Sequence, residues 1–180
     1  MSLQELKQTH DEVKNYLLQE GGIEQFTTYE ALATKSLLIA AAGEMERKFN
    51  KLLKDSPISY GSPDFLISFI TSQAIERKFH SMFNWKSANI NSFAGLFGPV
   101  KKAEIIDEFK SLSGQKVIKD FIFIGSERNR IVHKGLATES LDHTFDEVWE
   151  KYLSASKILE ILEKLLVKKL EPTPPPHARP

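Results

Sequence analysis

The chain has 180 residues, of which 41% are hydrophobic and 27% charged, proportions typical of a soluble globular domain. Its 24 basic and 24 acidic side chains give a net charge of zero, which excludes the strongly basic composition of many nucleic-acid-binding domains. The absence of cysteine excludes disulfides, thiolate nucleophiles and cysteine-ligated metals, and it fits a reducing cytoplasm. Neither a signal peptide nor an apolar run of membrane-spanning length is evident, so we expect a cytoplasmic protein without membrane contact.

Apolar residues at helical spacing predict an amphipathic first helix over residues 2–20, ended by the glycine pair 21–22. A long second helix is predicted from residue 27 or 28 to residue 55, with Glu30 placed for an N-terminal cap. The small residues 40–43 in its middle would allow another helix to approach closely. We therefore place this second helix at the centre of a bundle.

The serine, proline and acid at 62–64 are typical of a helix start, and the predicted third helix runs on as far as Phe83. Helical periodicity fails over residues 84–99, where asparagines and glycines are mixed with aromatic residues. We expect a long loop here. Its Trp85 and Phe93 would either anchor it to the bundle or stack on nucleic-acid bases.

The remaining helices are predicted at residues 100–112, 115–135 and 141–170. Residues 171–180 are rich in proline and cannot continue a helix, so a disordered tail is expected there. No hairpin or repeat signal is evident. The predicted fold class is therefore all-α: a single domain over residues 1–170, built as a five- or six-helix bundle with the aromatic loop between its third and fourth helices.

The segment 115–135 contains a charged residue where an apolar one is expected. Its apolar stripe includes Phe121 and Ile124, and the same alternation of four and three residues reaches Arg128 and then Ile131. A guanidinium stays charged, so on this stripe it must meet a carboxylate, a phosphate, a partner subunit or a water-filled cleft. Because such breaks concentrate at functional sites, Arg128 is a candidate site residue.

Two further polar residues follow on the same helix. Asn129 and His133 lie four residues apart and hence on one face, and the long side chain of Arg128 can reach towards His133. Gly135 indicates a helix end, where the free carbonyl groups favour a protonated imidazole. His133 is therefore a candidate for proton transfer.

The sequence Arg128-Asn129-Arg130-Ile131-Val132-His133 resembles the R-N-x-x-x-H signature of the HEPN superfamily, all-α domains of which many are metal-independent endoribonucleases. Over residues 30–165 the chain is similar to the RiboL-PSP-type HEPN branch. The similar features are Met45-Glu46 in the long second helix, the stretch from Phe79-His80-Ser81 to Trp85, and the loop that ends in Phe97-Gly98. The resemblance implies a HEPN-type bundle and a homodimer whose two signatures face each other across a shared cleft.

The resemblance also implies RNA cleavage without a metal or any other cofactor. RNA carries its own nucleophile, the 2′-hydroxyl, so a site needs a group that moves protons and a cation that stabilises the charge on phosphorus. His133 suits the first role and Arg128 the second, while Asn129 would orient the histidine or bind the RNA backbone. The implied biological role is that of a toxin or anti-phage effector, with an antitoxin or regulatory protein as a further partner.

Five residues are candidates for a supporting role. Glu46 matches a polar position common in that branch and would pair with the signature arginine. Arg130 and Lys134 would form a basic rim along an RNA backbone, or merely solvate a helix face. Arg77 and His80, three residues apart, would line the same cleft, although a histidine between phenylalanines often packs in a core.

Other interpretations of these residues stay open. Arg128 and His133 also suit a structural ion pair or a dimer contact, in a non-catalytic HEPN dimer that binds a protein or a nucleotide, or in a helical scaffold. His10, His143 and His177 are assigned to the surface or the tail and show no metal-ligand spacing with one another. No metal site is predicted.

Overall fold

The computed structural model describes residues 2–75 and 78–168, and this part of the chain is helical without a β-strand. The all-α prediction is confirmed. The helices are α1 Leu3–Gln19, α2 Ile23–Ser59, α3 Asp64–Ile70, a π-helical turn Thr71–Ile75, α4 Phe79–Met82, α5 Asn91–Gly95, α6 Gly98–Glu108, α7 Leu112–Lys134 and α8 Phe145–Leu166. The predicted number of helices, five or six, is lower than the number found in the described residues, because the predicted third helix is divided and the aromatic segment contains a helix.

The long second helix begins earlier and ends later than predicted. The hydroxyls of Thr27 and Thr28 donate to the carbonyl oxygens of Ile23 and Glu24, at 2.9 and 3.3 Å, so both threonines lie inside α2 rather than at its N-cap. At the other end α2 continues to Ser59, four residues beyond the prediction, and includes a proline in its last turns.

The predicted third helix is divided into α3, the π-helical turn and α4. Pro63, rather than Ser62, occupies the N-cap of α3, and this cap makes no side-chain hydrogen bond. After α4 the backbone of Phe83 is extended, with ψ 144°. The chain thus leaves the helical path at Phe83 and enters the aromatic segment.

The aromatic segment is held against the bundle by its rings. Phe93, in α5, is fully buried and stacks on Phe83 with ring centroids 5.0 Å apart. Trp85 lies 5.6 Å from the ring of Phe121 in α7. Anchoring, one of the two predicted roles, is therefore the role of Phe93, because a fully buried ring cannot stack on a base.

The central helix is α2, which packs against α1, α7 and α8. Of its small residues, Ala41 and Ala42 are buried, whereas Ala40 and Gly43 are exposed. Phe49 of α2 is fully buried in an aromatic cluster whose other rings lie 5.2–5.7 Å away, namely Phe79, Phe83, Phe93 and Phe121. The core is therefore richest in aromatic contacts where α2 meets α4, α5 and α7.

The last helix, α8, begins at Phe145, four residues later than predicted, and ends at Leu166. Thr144 and Glu147 form its capping box. Glu30, expected to cap α2, instead accepts a hydrogen bond of 2.8 Å from the backbone N–H of Phe145. The proline-rich segment 171–180, predicted to be a tail, lies outside the described residues.

Candidate functional site

The signature residues lie in the last two turns of α7. The apolar stripe that leads to them is buried as predicted, with Phe121, Ile124 and Ile131 almost inaccessible to solvent. Arg128 occupies the predicted position on this stripe and is half-buried, whereas His133 is exposed. The end of α7 at Lys134 is followed by Gly135 in the left-handed region, with φ 110°, as expected for a glycine that ends a helix.

Arg128 is held in place by its neighbour in sequence. Its Nη1 donates a hydrogen bond of 3.0 Å to Oδ1 of Asn129. The bond restricts the guanidinium while the remaining N–H groups keep their capacity to bind an anion. Asn129 thus contacts the arginine in this structure, a role different from the predicted orientation of the histidine.

The short helix α4 brings a second histidine to the same place. Nε2 of His80 lies 3.6 Å from Oε2 of Glu46 on α2, while its Nδ1 is buried and has no hydrogen-bond partner in the part of the chain that the structure describes. Burial is the main cause that lowers the pKa of His80, the positive charges of Arg128 and His133 act in the same direction, and Glu46 opposes them. Helices α2, α4 and α7 therefore bring together one carboxylate, one guanidinium and two imidazoles. The sequence analysis predicts a pair between Glu46 and Arg128, whereas in the structure the carboxylate of Glu46 faces the ring of His80.

Two further residues, Trp85 and Gly125, hold α4 against α7. The indole N–H of Trp85 donates a hydrogen bond of 2.8 Å to the carbonyl oxygen of His80. The indole itself lies against Gly125 of α7, where an added Cβ would stand 1.9 Å from Cζ3 of the tryptophan. The sequence analysis did not identify this support. Its signal was a glycine on the buried side of an otherwise amphipathic helix, one turn before the signature.

The other predicted supporting residues are placed differently. Arg130 binds Glu127 and Glu139 and donates to the carbonyl oxygen of Ser140 at 2.7 Å, so its guanidinium is occupied within the chain. Lys134 is exposed at the end of α7. Arg77 lies outside the described residues, and its predicted role stays a prediction.

An open groove of about 500 Å³ runs along α2 and begins at the site. Glu46 lines one part of it, and the remaining lining is mostly basic or amide: Gly43, Arg47, Asn50, Lys51, Lys54 and Asp55. The side-chain oxygen of Asn50 is buried there and has no hydrogen-bond partner among the described residues. A chain of phosphates would find positive charge in this groove from Arg47, Lys51 and Lys54.

His10, assigned to the surface from the sequence, is fully buried. Its ring stacks on Phe145 with centroids 3.7 Å apart, and its Nε2 lies 2.7 Å from Oε2 of Glu30. His10, Asp11 and Asp146 form a group whose ligand atoms lie within 4.8 Å of one another, close enough for a metal ion. Both aspartates already bind lysines, Lys7 and, for Asp146, also Lys14, so a cation would have to displace these ammonium groups.

His143 is half-buried rather than on the surface, because its ring packs on Phe123 at 4.6 Å. His177 lies outside the described residues.

The chain matches no protein-family model, and no similar curated protein or solved structure was found. Among the described helices, none combines the length and the apolar character that a membrane crossing requires.

Proposed function

We propose that this protein is a metal-independent endoribonuclease of HEPN type. The proposal rests on one observation above all: three helices bring the charges of Arg128, His133 and Glu46 close enough to His80 to change its pKa. A guanidinium that can bind an anion, together with two imidazoles, suits a phosphodiester whose cleavage requires proton transfer on both sides of phosphorus. The groove along α2, which Glu46 lines together with Arg47, Lys51 and Lys54, offers a path for the RNA strand.

In the proposed reaction the 2′-hydroxyl attacks the neighbouring phosphorus, and the products are a 2′,3′-cyclic phosphate and a 5′-hydroxyl. Arg128 binds the non-bridging oxygens, on which negative charge accumulates in the transition state. His133 transfers a proton, and its exposed position leaves it accessible to substrate. Asn129 holds Arg128 through the hydrogen bond between their side chains.

We further propose that the active form is a homodimer in which two signatures share one cleft. Val132, directly before His133, is 48% exposed, and Leu136 is 41% exposed just beyond the end of α7. Exposed apolar side chains bordered by polar residues are typical of a protein contact surface. A role as a toxin or anti-phage effector, restrained by an antitoxin, belongs to the same proposal and follows from the HEPN resemblance.

The proposal is tested by RNA cleavage in EDTA with wild-type protein and the variant His133→Ala. We expect wild type to produce cyclic-phosphate ends, and we expect the variant to be slower by a factor of about 10²–10⁴, the usual contribution of a proton-transfer group. Helicity and dimer mass should be unchanged, because His133 is exposed. Equal cleavage by the two proteins would contradict the proposal. Gln115→Ala, which changes an exposed residue near the opposite end of α7, is the control for unspecific effects.

A second candidate function is that of a non-catalytic dimer that binds a protein or a nucleotide. One observation favours it: Phe65 and Phe69 of α3 are 75% and 62% exposed, an unusual position for two phenylalanines four residues apart. If folded wild-type protein cleaves no member of a broad RNA panel, this second function becomes the better explanation of the structure.

A further inference from the structure

We propose that the exposed aromatic side of α3 is the docking surface for the proline-rich segment 172–176 of the same chain. This side of the helix carries Phe65 and Phe69, and we call it the α3 face. The inference goes beyond the proposed ribonuclease function and does not depend on it. It rests on the composition of the α3 face, on the direction in which the described chain leaves α8, and on the composition of the segment that follows.

The α3 face is apolar where a surface helix is normally polar. Phe65 and Phe69 are 75% and 62% exposed and lie four residues apart, hence on one side of the helix. Tyr60, which directly follows α2, is 59% exposed as well. None of the seven residues of α3, all of which the structure describes, is buried. Exposed aromatic side chains grouped in this way are typical of a surface that binds another segment.

The end of the described chain leads along α2 towards the turn that precedes α3. After α8 the backbone of Val167 is extended, with φ −110° and ψ 121°. The carbonyl oxygen of Leu166 accepts a hydrogen bond of 2.6 Å from the hydroxyl of Ser56. Two residues later the backbone N–H of Lys168 donates one of 2.9 Å to the hydroxyl of Ser59. Between these two bonds the chain therefore advances along the last turn of α2 in the direction of α3.

The distance that remains is within reach of the segment 172–176. Phe65 follows Ser59 by six residues, so their Cα atoms lie at most about 22 Å apart. Phe69 stands about 6 Å further along the axis of α3. The segment 172–176 lies four to eight positions beyond Lys168, which corresponds to about 12–25 Å in a polyproline II helix. It can therefore reach the α3 face without any change in the described helices.

The segment 172–176 has the composition that an aromatic surface binds. Its sequence is Pro172-Thr173-Pro174-Pro175-Pro176. Proline fixes φ, so such a segment favours the polyproline II helix before it binds and loses little conformational entropy on docking. Grooves lined by aromatic side chains are the usual receptors of proline-rich segments. Because both parts belong to one chain, the effective concentration is on the order of millimolar, and a weak contact is enough to keep them together.

The proposal is tested by paramagnetic relaxation in the full chain. The sequence contains no cysteine, so Ala178→Cys creates a single attachment point for a spin label two residues beyond the segment. With the phenylalanines isotope-labelled, we expect the ring signals of Phe65 and Phe69 to lose most of their intensity. The ring of Phe145 is the internal reference and should keep its intensity, since it lies about 30 Å from Leu166 along α8.

The matched control variant keeps the length and charge of the segment 172–176 and removes most of its prolines. It combines Pro174→Ser, Pro175→Ser and Pro176→Ser in the spin-labelled chain. We expect the signals of Phe65 and Phe69 to recover their intensity in this variant. Circular dichroism should show unchanged helicity, because the substitutions lie outside the described helices. An equal loss of signal with and without these prolines would contradict docking through proline.

A mixing experiment identifies whose segment binds. Isotope-labelled chain without a spin label is mixed with chain that carries the spin label but no isotope. Loss of the Phe65 and Phe69 signals in this mixture would assign the α3 face to the segment of a second copy and overturn the proposal. Full intensity of these signals in the spin-labelled chain itself would overturn it too, and would leave the α3 face to a separate partner protein. Neither result depends on RNA cleavage, so the proposed function stands or fails separately.

Discussion

At the scale of single residues, the site is defined by opposed charges around one imidazole. Arg128 and His133 lower the pKa of His80, and Glu46 raises it. The effects have opposite signs because positive neighbours disfavour the imidazolium and a negative neighbour favours it. Each contribution can therefore be removed separately, and the direction of the resulting change identifies its source.

We predict that Arg128→Gln raises the pKa of His80 and that Glu46→Gln lowers it further. Both follow from the removal of one charge that faces the ring. The measurement is an NMR titration of the His80 ring protons, which requires no substrate. Glu44→Gln is the matched control, because Glu44 also lies on α2 but binds Lys48 and the hydroxyl of Tyr152. An unchanged pKa of His80 in both of the first two variants would show that burial alone controls the ring.

Sequence patterns identified some of these residues and missed others for one physical reason. A polar residue on an apolar stripe is visible from spacing, and the half-buried Arg128 was found in this way. His10 continues the stripe of Leu3, Leu6, Val13 and Leu17 in α1, but the sequence analysis assigned it to the surface, and the structure has it fully buried. By contrast, the contact between His80 and Glu46 joins two helices, and spacing along one helix carries no information about it.

At the scale of helices, the site depends on how closely the aromatic segment approaches α7. Trp85 lies where the side chain of residue 125 would be, and only glycine leaves that space free. The same tryptophan binds the carbonyl oxygen of His80. Trp85 therefore controls how closely α4 approaches α7, through its contact with Gly125 and its hydrogen bond to His80.

We predict that Gly125→Ala destabilises the protein by about 1–3 kcal/mol, because its methyl group would stand 1.9 Å from the indole and Trp85 must move. Cleavage should fall as well, since the movement releases His80. Gly43→Ala is the matched control: Gly43 is an exposed helical glycine in α2 with no atom within 4 Å of its added Cβ. In this control variant the free energy of unfolding should rise by up to about 1 kcal/mol, the usual difference between alanine and glycine in a helix. Urea denaturation measures the free energy of unfolding of both variants. An unchanged free energy of unfolding in Gly125→Ala would contradict the role assigned to Trp85.

The helices most accurately predicted were those with strong local signals. α1 has the expected bounds, with a capping box in which Ser2 and Glu5 bind each other's backbone N–H groups. The prediction of one continuous third helix is wrong, because apolar spacing does not reveal a π-helical turn or a change of direction. Both of these features depend on tertiary packing. The capping role of Glu30 was misassigned for the same reason, as its partner Phe145 lies 115 residues away.

At the scale of the whole molecule, Glu30 connects three helices. From α2 it binds His10 of α1 at 2.7 Å and the first backbone N–H of α8 at 2.8 Å. We predict that Glu30→Ala lowers the free energy of unfolding by about 2–3 kcal/mol, because a buried imidazole and a helix N–H group both lose their acceptor. Glu12→Ala, which removes only an exposed contact with Gln8, should change stability by less than about 0.5 kcal/mol. A loss of similar size in both variants, measured by urea denaturation, would contradict the connecting role.

The pairing of α2 with α8 also has a consequence during synthesis of the chain. Contacts between them join residues 108–115 positions apart, among them Glu44 with Tyr152 and Ser56 with Leu166. At about 5–20 residues per second, α2 would leave the ribosome roughly 5–20 s before its main partner. For the first part of this interval the chain also lacks α7, which carries Arg128 and His133. Until α8 has emerged, a nascent chain would therefore have an incompletely covered central helix, and its need for a chaperone would last at least until then.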